Sequence, residues 1–220
     1  MDEREVLMKE ISAATLQVSG LTLGDAGGGR LADWSTVFGA GLSLIVDEED
    51  AFKGALLRVL AGEARPRAGM VRWCGVEMAG RLAAAPESVF WRDPRSPWPG
   101  VSPRQWAREQ AARHPVWSED DWRRHVQGWA LEEHLHKEMF RLSTGSKRKV
   151  LLAAAFASGA PLTLIDEPEA ALDRSSILYL REALGREAER CRENGRIWIV
   201  AHYGPMPGVP WAQVLAPQQV

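Results

Sequence analysis

The sequence predicts an α/β fold with a mostly parallel sheet and a helical insertion. Apolar runs rich in Leu, Val and Ile recur along the chain and are typical of buried strands. Helical stretches lie between several of these runs, and strands that alternate with helices favour a parallel sheet. Ligands of such sheets bind at the carboxyl ends of the strands. The strand-like runs cover residues 13–23, 42–46, 161–168 and 196–202.

Length and charge exclude several classes of protein. The chain has 220 residues, of which 45% are apolar and 25% are charged, as in an ordinary folded domain. A formal charge of −2 gives no electrostatic reason to expect nucleic acid as a partner. Two cysteines cannot form a disulfide framework or a four-ligand zinc site. The acidic N-terminus lacks signal-peptide features, and the longest apolar stretch is too interrupted to span a membrane, so a cytoplasmic protein is expected.

The first ninety residues predict the start of an α/β core. The glycine-rich segment 24–30 follows no phosphate-binding spacing and is interpreted as a hairpin loop. Residues 55–60 have helical character, and Gly62 is placed to end the helix. Residues 70–78 predict a short strand or a hairpin.

A different region begins near residue 91. Prolines crowd residues 86–103, and the chain then becomes helical and rich in tryptophan. Ser118, three residues before Asp121, is placed to cap a helix. The residues that follow it on one helical face are Trp122, His125, Val126 and Trp129. We therefore predict one domain over 1–220, with an α/β core at 1–90 and 142–220 and a helical subdomain at 91–141.

The chemically informative residues lie in the last third of the chain. An apolar strand ends in Asp166 and Glu167, which places one carboxylate to hold Mg²⁺ and the next to polarise a water. Ser143 is placed to cap a helix, so its hydroxyl and the amides of Thr144 and Gly145 can face a phosphate. His202 ends the next apolar strand, on the same edge of the sheet. Asp173 is placed to cap a further helix that reaches about Arg190, and the tail from Gly204 shows no strong periodicity.

These segments together resemble the ATP-binding subunit of ABC transporters. LSTGS resembles the signature LSGGQ, LTLIDEP the Walker B strand, AALD the D-loop, and VAH the strand of the switch histidine. Their order and spacing fit, and the resemblance extends over roughly residues 13–205. The motifs stand at 142–146, 162–168, 170–173 and 200–202.

The resemblance implies a RecA-like P-loop core of the ABC-ATPase type that works as a dimer and drives a membrane permease. It implies that ATP lies between the Walker motifs of one protomer and the signature of the other. Such a subunit sits peripherally at the inner face of the membrane, held there by its permease. The implied site residues are Lys53 for the β- and γ-phosphates, Asp166 for Mg²⁺, Glu167 for the water, His202 for the γ-phosphate, Arg92 in the Q-loop, Asp173 in the D-loop, and Ser143, Thr144 and Gly145 in the signature.

The phosphate loop departs from the family pattern GxxxxGK[ST]. The chain has DEEDAFKGA at 47–55, with Asp47 at the first glycine position. Lys53 is retained, but Gly54 and Ala55 replace the two hydroxyl residues, so the usual Mg²⁺ ligand is missing. A like-charge pair at about 4 Å costs on the order of 4 kcal/mol at an effective dielectric of 20. The four acids at 47–50 therefore oppose ordinary ATP binding.

The combination of retained motifs and an altered phosphate loop leaves two mechanisms and one rival function open. In the first mechanism the chain still hydrolyses ATP with Lys53, Asp166, Glu167 and His202. In the second, which the altered loop favours, it lends Ser143 and Gly145 to a competent partner in a heterodimer. A homodimer would contain two equally altered sites. The rival function is a regulatory or scaffold protein that keeps the fold as an interaction surface.

Overall fold

The computed structural model describes residues 15–24 and 31–217. Nine strands are assigned there: β1 Leu16–Thr22, β2 Trp34–Phe38, β3 Gly41–Val46, β4 Ala68–Trp73, β5 Val76–Glu77, β6 Val89–Phe90, β7 Leu162–Asp166, β8 Ile197–His202 and β9 Gln213–Leu215. The α-helices of the same residues are α1 Lys53–Leu60, α2 Arg81–Ala84, α3 Pro103–Arg113, α4 Glu119–Gly128, α5 Thr144–Ser158 and α6 Arg174–Asn194. Among them, no helix is long and apolar enough to cross a membrane.

A five-stranded parallel sheet forms the centre of the molecule, in the order β6-β7-β8-β3-β9. The three inner strands β7, β8 and β3 are mostly apolar and buried because both of their faces are covered. Trp198 and Val200 of β8 pack in a cluster with α4, α5 and α6, whereas Ile197 and Ile199 pack on the opposite side with β1 and α1. The predicted α/β class is confirmed by this sheet.

The register of the sheet brings three strand ends to one edge. Val46 at the end of β3 pairs with His202 at the end of β8. Asp166 at the end of β7 pairs with Ala201, one residue earlier on β8. The residues after β3, β7 and β8 therefore emerge side by side, at the edge where the sequence predicted a ligand.

An antiparallel sheet, in the order β2-β1-β4-β5, covers one face of the central sheet. β4 and β5 form the hairpin predicted at 70–78. β2 and β9 were not predicted: β2 alternates buried and exposed residues only weakly, and β9 has three residues within the proline-containing tail. Residues 25–30 of the predicted glycine-rich hairpin loop lie outside the described residues.

Helix ends follow the predicted chemistry in most places. Gly62 adopts φ +74°, and a Cβ there would lie 2.1 Å from the carbonyl oxygen of Met78, so only glycine fits this helix stop. Ser118 caps α4 by accepting a hydrogen bond from the amide of Asp121 at 3.1 Å. α6 continues to Asn194, beyond the predicted end near Arg190, because Gly195 supplies the left-handed cap.

The segment 91–141 contains α3 and α4, which pack beside α5 on one side of the sheet. All four residues of the predicted apolar face of α4 are buried, and His125 stacks on Phe156 with 4.3 Å between ring centroids. Burial lowers the pKa of His125 to about 4, so this histidine is a neutral packing residue at neutral pH. The tryptophans of α4 serve the same packing.

Candidate nucleotide site

The segment between β3 and α1 is organised by the side chain of Asp47. Its carboxylate accepts hydrogen bonds from the backbone amides of Ala51 at 3.2 Å, Phe52 at 2.8 Å and Lys53 at 2.8 Å. Only 3% of Asp47 is exposed. Amides at the start of a helix have no acceptor within the helix and favour an anion. Asp47 satisfies the amide of Lys53, the first residue of α1, and the amides of the two residues before it. α1 begins at Lys53, two residues earlier than predicted.

The ammonium group of Lys53 is held between two carboxylates. It forms an ion pair with Asp50 and a second one with Glu167, at 3.1 Å between Nζ and Oε1. Burial opposes the charged form of Lys53, but the hydrogen bonds to Asp50 and Glu167 prevail and raise its pKa above the ordinary value. Asp50 adopts φ +53°, a conformation that aspartate tolerates better than most residues. Lys53 is therefore charged and fully engaged within its own chain.

Glu167 connects the lysine to the histidine predicted on the same edge. Its second oxygen lies 3.5 Å from Nε2 of His202, which is 2% exposed. The Nδ1 atom of His202 lies 2.8 Å from the carbonyl oxygen of Gly204. The backbone of Glu167 has φ +47°, a strained value for this residue type, and its amide donates to Ala201 of β8. The structure thus brings Lys53, Glu167 and His202 into one contact group.

Asp166 lies beside this group with one unsatisfied oxygen. Its Oδ1 atom is buried and has no hydrogen-bond partner among the residues that the structure describes. Burial, only partly offset by the charge of Lys53, raises the pKa of Asp166 to about 6. Arg148 of α5 donates to the backbone carbonyl of Asp166 at 2.7 Å, so the strand end is tied to α5. A carboxylate in this position has the capacity to ligate a cation.

A second group of predicted residues surrounds the N-terminus of α5. The hydroxyl of Ser143 accepts a hydrogen bond from the amide of Ser146 at 3.0 Å, and both Ser143 and Thr144 are exposed. Gly145 passes close to the turn before α6, because a Cβ there would lie 2.5 Å from the carbonyl oxygen of Ala171. Asp173 caps α6 through the amide of Ser176 at 2.8 Å and forms an ion pair with Lys149 at 3.2 Å.

Arg92, expected near the phosphates, is engaged elsewhere. Its guanidinium donates to the carbonyl oxygens of Ser96 at 2.8 Å and Pro97 at 3.0 Å, and it stacks over the ring of Trp98 at 4.1 Å. The neighbouring Arg95 instead lies beside α1, with its Nη2 atom 3.5 Å from where a Cβ of Gly54 would stand. Arg95 is a basic residue of the site that sequence reasoning missed.

The chain's own phosphate loop does not fit Mg·ATP in this arrangement. Asp47 occupies three amides that a phosphate needs, Lys53 is neutralised, and Ala55 offers no hydroxyl to a metal. Within residues 15–24 and 31–217, no group of three or more His, Cys, Asp or Glu side chains is arranged to hold a metal ion. Besides the oxygen of Glu167 that is paired with Lys53, Oδ1 of Asp166 is a buried carboxylate oxygen at this edge without a hydrogen-bond partner among the described residues.

Sequence reasoning found the retained residues but not their internal partners. It placed Asp47 at the loop, yet treated it only as a repulsive charge rather than as a ligand of the amides. No capping pattern indicated this role, because Asp47 stands six residues before Lys53, whereas an N-cap residue stands immediately before its helix. The roles of Arg95 and Arg148 depend on contacts across separate segments, and no local pattern indicates them. Asp50 pairs with Lys53 three residues later, a local contact that sequence reasoning did not consider.

Comparison with known proteins shows the family to which this chain belongs. A family model described as ABC transporter matches residues 51–170. The cytochrome c biogenesis ATP-binding export protein CcmA 2 of Salmonella paratyphi A is 31% identical over 195 residues, covering 80% of this chain and 86% of that protein. The hemin import ATP-binding protein HmuV of Nocardia farcinica is 31% identical over 207 residues. The match covers 86% of this chain and 69% of HmuV.

Solved structures show the same fold. An ABC transporter ATP-binding protein from Pyrococcus furiosus superposes with a TM-score of 0.74 at 17% identity, covering 92% of this chain and 97% of that one. A bacterial ABC transporter cassette solved as a dimer superposes with a TM-score of 0.65 at 14% identity, covering 85% and 88%. The fold is therefore the RecA-like α/β fold of ABC ATPases. The chain belongs to the family of ABC transporter ATP-binding proteins.

Proposed function

We propose that this chain is an ABC subunit that couples the ATP of a partner subunit to a membrane permease, while its own nucleotide site is impaired. The observation that carries the proposal is the contrast between the phosphate loop and the signature. Lys53 is bound by Asp50 and Glu167, whereas Ser143 and Thr144 stand exposed at the start of α5. The signature end is free for a partner, and the phosphate loop is not.

A heterodimer follows from this contrast. A dimer of two copies of this chain would contain two phosphate loops, each occupied by its own Asp47. A second ABC subunit with an intact loop would instead hold Mg·ATP and receive Ser143 and Gly145 from this chain. The family relationship supports such pairing, and a relative such as CcmA 2 is named an ATP-binding export protein. ATP supplies the free energy through hydrolysis at the partner's site, at the inner face of the membrane.

The fixed position of the signature supports its role. Arg148 and Lys149 tie α5 to β7 and to the N-terminus of α6, at 2.7 Å to the carbonyl of Asp166 and 3.2 Å to Asp173. A binding group mounted on rigid elements keeps its geometry better than one on a loose loop. The helix start is also a natural place for a phosphate, because its amides point outward.

The test is ATP hydrolysis by the complex purified, through a tag on this chain, from membranes of the source organism. A Ser143→Glu variant places a carboxylate at the signature and is expected to lower turnover at least about tenfold. A Glu167→Gln variant is expected to lower it by much less. The opposite ranking would show that this chain hydrolyses its own ATP. Absence of any permease from the purified complex would favour the scaffold alternative.

A further inference from the structure

We infer that Asp47 is the resident anion of the phosphate loop, and that its removal opens a site for a diphosphate group. The inference rests on the proposed impairment of the chain's own site and names its cause. The alternative causes are the missing hydroxyl at Ala55, the neutralised Lys53, and the overall acidity of residues 47–50.

The hydrogen bonds of Asp47 single it out from the other acids. Both of its oxygens are used: Oδ1 accepts from Ala51, and Oδ2 accepts from Phe52 and Lys53. In the phosphate-loop pattern, the backbone amides of this stretch are the groups that cradle the phosphates. A buried carboxylate that accepts three amide hydrogens does there what a phosphate oxygen would do.

The covalent link of Asp47 to the loop makes it a strong competitor. An incoming phosphate loses translational freedom on binding, whereas the side chain of Asp47 is already in place. The incoming phosphate must also approach the fixed negative charge of Asp47. Glu48, by contrast, is exposed and makes no hydrogen bond or ion pair within the described residues. The same charge at position 48 therefore opposes a phosphate only through solvent-screened repulsion.

A basic side chain near the loop would serve the opened site. The Arg95 guanidinium lies beside Gly54, whereas Lys53, in the first turn of α1, stays paired with Asp50 and Glu167. Arg95 makes no side-chain hydrogen bond or ion pair within the described part of the chain, so it is free to meet an anion. The loop thus keeps the charge needed to bind a diphosphate once the resident carboxylate is gone.

The experiment compares wild type, Asp47→Gly and Glu48→Gly in the full chain by titration calorimetry with inorganic pyrophosphate. Both variants lose one negative charge and gain one glycine, but only Asp47→Gly removes the occupant. We expect no binding to wild type at about 10 mM, and at least about tenfold tighter binding to Asp47→Gly than to Glu48→Gly. Circular dichroism and urea unfolding confirm that each variant is folded.

If Asp47→Gly does not fold, Asp47→Ala replaces it with Glu48→Ala as its control, because an alanine also removes the side-chain acceptor from the amides. Equal binding by the Asp47 and Glu48 variants would overturn the inference. Absence of binding by wild type and all variants would also overturn it, while leaving the proposed impairment of the site intact. Tight binding of pyrophosphate by wild type would contradict both.

Discussion

The N-termini of α1 and α5, where we propose the phosphate loop and the signature, are stabilised in different ways. At α1 the cap is the buried carboxylate of Asp47, which takes three amides. At α5 the cap is the hydroxyl of Ser143, which takes one amide and remains exposed. A charged internal cap satisfies the helix dipole from within, whereas a neutral cap leaves it available to an external anion.

The largest expected effect is on the cap of α1. Asp47→Ala leaves two buried amides and one half-buried amide without an acceptor, so the free energy of unfolding should fall by about 3 kcal/mol. Urea unfolding at pH 7 measures this change. A loss below about 1 kcal/mol would mean that the carboxylate does not hold the loop, and the contrast between the two helix starts would be lost.

The glycines in the first turn of each helix give the next comparison. Gly145→Ala brings a Cβ to 2.5 Å from the carbonyl of Ala171 and should cost about 2 kcal/mol through strain. Gly54→Ala meets only the Arg95 guanidinium, at an ordinary 3.5 Å. It should be neutral, or stabilising by about 0.5 kcal/mol through helix propensity. Thermal unfolding of the two variants tests this; similar losses in both would mean that α5 and the turn before α6 are not in close contact.

The contributions of Asp166 and Asp173 to the stability of the fold should depend on pH in opposite directions. The pKa of Asp166 is raised by burial to about 6, while hydrogen bonds from Ser175 and Ser176 lower the pKa of Asp173. Because folded Asp166 binds its proton more tightly than the unfolded chain does, its contribution to stability is lost as pH rises from about 4 to about 6. For Asp173 the sign is reversed, since its contribution is present at neutral pH and is lost in acid.

Asp166→Asn removes the cost of ionising this buried group. The variant should therefore be more stable than wild type by about 2 kcal/mol at pH 8, with a much smaller gain at pH 4.5. Urea unfolding at the two pH values measures the difference, and Asp173→Asn is the matched control that should not be stabilised at pH 8. A pH-independent gain for Asp166→Asn would contradict the assigned cause.

The smallest expected effect is at the exposed cap. Ser143→Ala should lower the free energy of unfolding by about 1 kcal/mol or less, because one hydrogen bond in water-accessible surroundings is lost. The comparison predicts that this loss is at most half of that for Asp47→Ala. Equal losses would show that the two caps are energetically alike.

The sequence predicted the fold more completely than the site. Nearly continuous apolar runs identify β3, β7 and β8, because both faces of these strands are buried. The cap at Ser143 and the apolar run after it identify α5. The short strand β9 escapes notice because its partner β3 lies far away along the chain, and β2 escapes notice because it has only five residues and a weak apolar pattern. Ser143, Ser118 and Asp173 were predicted as caps, since a cap is a local interaction between residues three apart.

The sequence did not predict that the carboxylate of Asp47 binds the amides of the phosphate loop. Position 47 was recognised as a departure from the family pattern, but whether its carboxylate points toward or away from the amides depends on the folded loop. Likewise, the ion pair of Lys53 with Glu167 joins residues from α1 and the end of β7. Contacts of this kind require the sheet register, which only the structure provides.

The most direct test of the account is equilibrium binding of Mg·ATP to the purified wild-type chain. The account predicts no binding up to about 1 mM, because Asp47 fills the loop and Lys53 is neutralised. Binding tighter than about 100 μM, a free energy near 5.5 kcal/mol, would contradict it and would show that the resident carboxylate gives way to a phosphate.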